Sequence, residues 1–182
     1  KTILEFCPPD QLSAYSLIME SHQKNPAGNA KLMNYMKRRF AIPADFSKQV
    51  ILSQLTQAEA ITYGVDHWRR HRSNYRCMGT LFWQLNDCWP VASWASIDYF
   101  GRWKALHYFA KRFYSNFFPS ILENKKNIEI WVTNDDRIIQ KGRIEWKIYH
   151  VSGKLLMSGE KELVVPPCSS IRGPAPGRPC HR

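Results

Sequence analysis

No apolar run in this sequence approaches the ~20 residues a membrane-spanning helix needs, so no membrane partner is expected. A charged-then-apolar leader is also missing, and nothing points to secretion. The chain opens on Lys1 rather than Met, and a true N-terminus further upstream is expected. Cysteine occurs five times, at Cys7, Cys77, Cys88, Cys168 and Cys180, but never as C-x-x-C. The odd number and wide scatter argue against a disulfide framework and against a zinc site. Free thiols are the remaining reading, and they favour a reducing, cytoplasmic compartment.

What is present reads as globular: 44% apolar residues, with seven Trp, eight Tyr and nine Phe in 182 residues. The formal charge of +11 raises the question of nucleic acid. Basic runs such as Lys37-Arg38-Arg39 and Arg69-Arg70-His71-Arg72 fall on predicted helices, however, where a solvated face is the ordinary role. No RRM-like or KH-like motif accompanies them, so no nucleic-acid partner is expected.

Residues 1–28 read as irregular. Asn29 is placed as the N-cap of a helix with Leu32, Met36 and Phe40 on one face, ended by Pro43. Asp45 or Ser47 caps a longer helix reaching about Arg72, with Ile51, Leu55, Ala58, Thr62, Val65 and Trp68 near its buried stripe. The apolar run 77–85 reads as a strand covered on both faces, as in parallel α/β sheets. An aromatic loop extends to about Arg102, and a further helix over Trp103–Ser115 turns Leu106, Phe109, Ala110 and Phe113 inward. Beyond about residue 118 the period becomes two. Ile128, Ile130 and Val132 alternate with polar neighbours, as do Ile144, Trp146 and Ile148, and another strand covers Leu155–Val165. Gly153 suits the turn of a hairpin. Three or so strands fall short of the roughly seven of a complete sandwich. From Pro166 the sequence is rich in Pro, Gly and Arg and reads as a disordered tail.

The stretch Gly79-Thr-Leu-Phe-Trp-Gln-Leu-Asn-Asp-Cys-Trp-Pro90 continues through Ser93-Trp-Ala-Ser-Ile-Asp98 and Gly101-Arg-Trp-Lys-Ala-Leu-His-Tyr-Phe-Ala-Lys111. It closely resembles the barrel-closing segment of β-mannosidases, in the large family shared with β-galactosidases and β-glucuronidases. The run His22-Gln-Lys-Asn-Pro-Ala-Gly-Asn29 and the helix around Gln54–Glu59 are similar too. The resemblance covers about residues 1–165.

It implies an α/β-then-β fold. Residues 1–118 would be the last part of a (β/α)8 TIM barrel, with 77–85 as its eighth strand. Residues 119–165 would begin an immunoglobulin-like β-sandwich, left incomplete, and 166–182 would be the tail. The implied activity is hydrolysis of terminal β-D-mannosyl residues with retention, without metal or organic cofactor, by a longer parent. A non-catalytic carbohydrate-binding or scaffold module is the alternative. In the family the nucleophilic glutamate lies in a Ser-Glu-Phe/Tyr-Gly-Phe type motif and the acid/base in an Asn-Glu pair; neither occurs here. This chain alone is therefore expected to be inactive, and to need the upstream barrel in order to fold.

Retaining hydrolysis requires two carboxyl groups about 5 Å apart. Up to residue 118 the candidates are Glu5, Asp10, Glu20, Asp45, Glu59, Asp66, Asp87 and Asp98. By position alone, Asp87 and Asp98 follow a strand, where barrel enzymes put functional groups. The resemblance assigns catalysis elsewhere and leaves them binding or loop-fixing roles. It also implies that Trp83 stacks on the reacting sugar, since an indole face suits the C–H face of a pyranose. By position alone, a core Trp is the equal alternative. Asn86 and Asp87 fit either contacts to sugar hydroxyls or the holding of their own loop. Trp89 fits a subsite wall or loop packing. His22 and Lys24, with Gln23 and Asn25, fit the lining of an outer subsite or a solvated loop. His107 reads as structural.

Overall fold

The computed structural model describes residues 1–123 and 127–174. Its contacts divide it into two compact units, Lys1–Tyr63 with Leu81–Lys111, and Gly64–Thr80 with Arg112–Arg182.

In the first unit, residues expected to be irregular hold short helical turns at Thr2–Glu5 and Pro9–Gln11, followed by helix α1, Leu17–Ser21. Ser16 caps α1 by accepting from the amide of Met19. Helix α2, Gly28–Lys37, starts earlier than expected, with Ala27 at its N-cap in the left-handed region. Asn29 is no cap: it is buried in the first turn, where its amide donates to the Met19 carbonyl and its oxygen accepts from Gln23. α2 also ends at Lys37, before Pro43, so Phe40 lies outside it. Helix α3, Phe46–Arg70, starts as read: the Asp45 carboxylate accepts from the amides of Ser47 and Lys48, satisfying two donors that a helix start leaves open. Ala58 and Val65 are buried along it, whereas Ile51 and Trp68 are exposed. Helix α4, Ala105–Phe113, buries Leu106, Ala110 and Phe113 as its spacing requires.

Residues 77–85 correct the reading of a buried strand. They form no ladder, and Leu81 is 98% exposed. A strand exists through hydrogen bonds to its neighbours, and the described residues supply only an isolated bridge from Asn86 to Ile97. Every sheet among the described residues is antiparallel.

Among the described residues the second unit holds five strands rather than three or so. β1 (Phe117–Glu123), β2 (Ile128–Asn134) and β5 (Ser169–Arg172) form one sheet in the order β1-β2-β5. β3 (Gln140–Tyr149) and β4 (Leu155–Val165) form a hairpin, with Gly153 at φ +86° in its turn. Val132 of the sheet meets Leu163 and Val165 of the hairpin, with Phe117, Ile144 and Ile171 packed around them. β5 overturns the expectation of disorder for residues 169–172; positions 175–182 of that tail lie outside the described residues.

One basic run also departs from a solvated face. Arg69 and Arg70 are buried. Arg69 donates to the carbonyls of Phe113 and Ser115, which end α4, and to the Asp135 carboxylate at 3.0 Å. Burial pushes its pKa down, and Asp135 chiefly offsets this. A cation placed there satisfies helix-end carbonyls that would otherwise lack donors.

Candidate functional site

The six residues singled out in the sequence all lie in the first unit, and the structure sorts them into three environments. His22, Lys24 and Trp89 come together. The His22 ring is stacked between Phe6, at 4.4 Å, and Trp89, at 5.1 Å. The Lys24 ammonium sits over the Trp89 ring, 4.4 Å from its centroid. A carbonyl can only accept, so the 2.6 Å contact between His22 Nδ1 and the Pro90 oxygen fixes the proton on Nδ1. The neighbouring Gln23 amide donates to Asn29 and to the Ala92 carbonyl, and the Ala92 amide donates to the His22 carbonyl. Gly28 leaves room for this, since a Cβ there would lie 2.4 Å from the Gln23 carboxamide carbon. The segment after α1 is thus laced to the aromatic loop, and protein atoms already engage the Trp89 ring.

Asp87 has a different environment. It is 5% exposed, and its carboxylate accepts from Ser93 Oγ at 2.5 Å and from Lys104 Nζ at 3.2 Å. Lys104 also reaches Ser93 Oγ and its carbonyl. A buried carboxylate with a cation and a hydroxyl on its oxygens satisfies the cost of its own desolvation. Its geometry is that of a loop tie. Asp98 is equally occupied: Oδ1 accepts from the amides of Phe100 and Arg102, each at 2.9 Å, and Oδ2 from Thr2. Those bonds shape a turn in which Gly101 takes φ +77°. Asn86 is exposed and donates weakly to the Asp87 carbonyl at 3.3 Å.

Trp83 stands alone. It is 77% exposed, next to exposed Leu81 and Leu85, and the Trp83–Gln84 peptide is cis. An indole free on its faces is available for stacking. Sequence reasoning passed over Phe6, Ser93, Ser96 and Lys104, which hold the loop. Phe6 meets His22 and Lys104 meets Asp87 through folding, not through a local pattern. Among the described residues no cluster of His, Cys, Asp and Glu fits a metal ion.

Residues 126–172 match the family described as Mannosidase Ig/CBM-like domain. The chain is 31% identical over 151 residues to β-mannosidase from Mus musculus, an alignment covering 77% of this chain and 17% of that protein. The crystal structure of β-D-mannosidase from Dictyoglomus thermophilum matches with a TM-score of 0.83 at 29% identity, over 96% of this chain and 21% of that one. An exo-chitosanase of Amycolatopsis orientalis shares the fold, with a TM-score of 0.77 at 20% identity over 94% of this chain and 21% of its own. The chain thus spans between 17% and 21% of the length of these relatives.

Proposed function

Because the chain belongs to the β-mannosidase family of glycoside hydrolases, we propose that it builds one aromatic wall of a β-mannoside site whose two catalytic carboxyl groups come from sequence outside it. The contrast between Trp83 and the two loop carboxylates carries this reading. Asp87 and Asp98 are spent on internal bonds, whereas the Trp83 indole is open. A nucleophile must be free to approach the anomeric carbon, and an acid must be free to reach the leaving oxygen. Neither aspartate meets that condition.

On this reading, Trp83 stacks against the apolar face of the reacting sugar and excludes water beside it. Water exclusion strengthens hydrogen bonds to the sugar hydroxyls as oxocarbenium character develops. The Trp89 ring, already engaged by His22 and Lys24, is not offered as a second platform. The partner is a β-D-mannoside with a terminal mannosyl residue, and the exposed 81–85 segment would take its place as a strand within a complete (β/α)8 barrel. The test is hydrolysis of an aryl β-D-mannoside by the intact polypeptide carrying this sequence. Trp83→Ala lowers kcat/KM by about tenfold or more. Unchanged kcat/KM in that variant contradicts the assignment.

A non-catalytic carbohydrate-binding role has one observation in its favour, the match of residues 126–172 to a family described as Ig/CBM-like. Saturable sugar binding without turnover by the intact polypeptide distinguishes it.

A further inference from the structure

We infer that Ser96 and His107 are the positioning residues of the Trp83 wall; this rests on the reading of Trp83 just given. No hydrogen bond among the described residues holds the Trp83 indole, so its position depends on the backbone that carries it. Just after Trp83, that backbone is tied to Ser96 and Ile97. Ser96 is fully buried, and its amide lies 3.1 Å from the carbonyl oxygens of both Gln84 and Leu85, the two residues that follow Trp83. Its hydroxyl donates to the Leu85 carbonyl at 2.9 Å, and the Ile97 amide donates to the same oxygen at 2.8 Å. The Ser96 carbonyl in turn accepts from the Lys104 amide at 2.9 Å, next to the start of α4.

His107 completes the arrangement. Its Nδ1 lies 3.1 Å from Ser96 Oγ. A hydroxyl has one proton, and an oxygen 2.9 Å from a carbonyl oxygen must direct that proton at it. Ser96 Oγ is therefore the acceptor toward His107, and Nδ1 carries the proton. The ring is set by Trp103, whose centroid lies 4.3 Å away. The chain of bonds runs from α4, through the His107 imidazole and Ser96, to the carbonyls of Gln84 and Leu85. It transmits the rigidity of a helix to a segment that has no ladder of its own. Neither side chain touches the sugar in this arrangement; both act through Trp83.

Two readouts on the intact polypeptide test this, comparing Ser96→Ala, His107→Leu and His107→Asn. The Asn carboxamide nitrogen stands two bonds from Cβ, as Nδ1 does, and retains an N–H for Ser96 Oγ, whereas Leu offers bulk alone. In Ser96→Ala and His107→Leu, amide hydrogen exchange at positions 96 and 97 quickens about tenfold, the loss of one hydrogen bond. KM for an aryl β-mannoside rises by about the same factor, with kcat less affected. His107→Asn stays close to the wild type on both measures. His107→Leu indistinguishable from wild type in exchange, or His107→Asn as impaired as His107→Leu, overturns the inference. Absence of turnover in the wild type contradicts the proposed activity instead, while the exchange rates and their rescue by Asn still decide the positioning role.

Discussion

Trp83 and Trp89 belong to one sequence motif, yet their rings meet different surroundings. Trp89 is packed by His22 and Lys24, while Trp83 faces outward. The resemblance implied sugar stacking for Trp83, while Trp89 was left between a subsite wall and loop packing. The difference comes from His22 and Lys24, far away along the chain. For Asp87 and Asp98 the sequence left binding and loop-fixing both open; the partners that tie them into the loop, Lys104 and Thr2 among them, are brought in by folding. In the second unit, burial pushes the Asp66 carboxyl up, outweighing Arg70 and then Arg69, which pull it down. A carboxyl raised in the folded state binds its proton more tightly there than in the unfolded chain. Its stabilising contribution is complete below the ordinary carboxylate range and is lost as pH rises through the folded value. Asp66→Asn is thus expected to gain stability relative to wild type on going from about pH 4 to pH 7. Urea midpoints of the intact polypeptide at the two pH values check this; a gain confined to pH 4 contradicts it.

At the level of elements, periodicity served where an element is self-contained. α3 repeats its apolar positions within one segment, and β4 matches its expected bounds of Leu155–Val165. β1 and β5 were missed for a physical reason. Pro119 interrupts the strand pattern of β1, and β5 sits between Pro166-Pro167 and Gly173-Pro174. Both are edge strands, where a proline costs no central hydrogen bond. The run 77–85 failed in the opposite direction: it has strand composition but no neighbour to bond with. Pairing across the hairpin imposes its own constraint. Trp146 lies opposite Gly159, and a Cβ at 159 would stand 2.6 Å from the indole. Gly159→Ala is expected to destabilise the hairpin by about 1–3 kcal/mol through that overlap. A urea midpoint for the variant equal to that of wild type argues against tight Trp146–Gly159 packing.

For the molecule as a whole, the sequence conveyed the family and the change from helical to period-two patterning. It did not convey which side chains hold the loop, because those contacts join residues remote in sequence. The same distance effect applies beyond the chain. Leu81 and Leu85 beside Trp83, and Ile51 and Tyr63 on α3, are exposed apolar side chains. Apolar surface of that kind ordinarily has a covering partner, and a barrel of ~250 residues would supply one. The purified 182-residue chain is expected to bind a hydrophobic dye such as ANS and to lack a sharp unfolding transition. Cooperative unfolding without dye binding would show that it needs no such cover.

The most direct measurement is turnover of a chromogenic β-D-mannoside by the purified chain. None is expected at any enzyme concentration on the proposed reading, which assigns the bond-breaking carboxyls to sequence outside this chain. Catalytic release of the chromophore, abolished by Asp87→Asn or Asp98→Asn in a variant that keeps its fold, would contradict it.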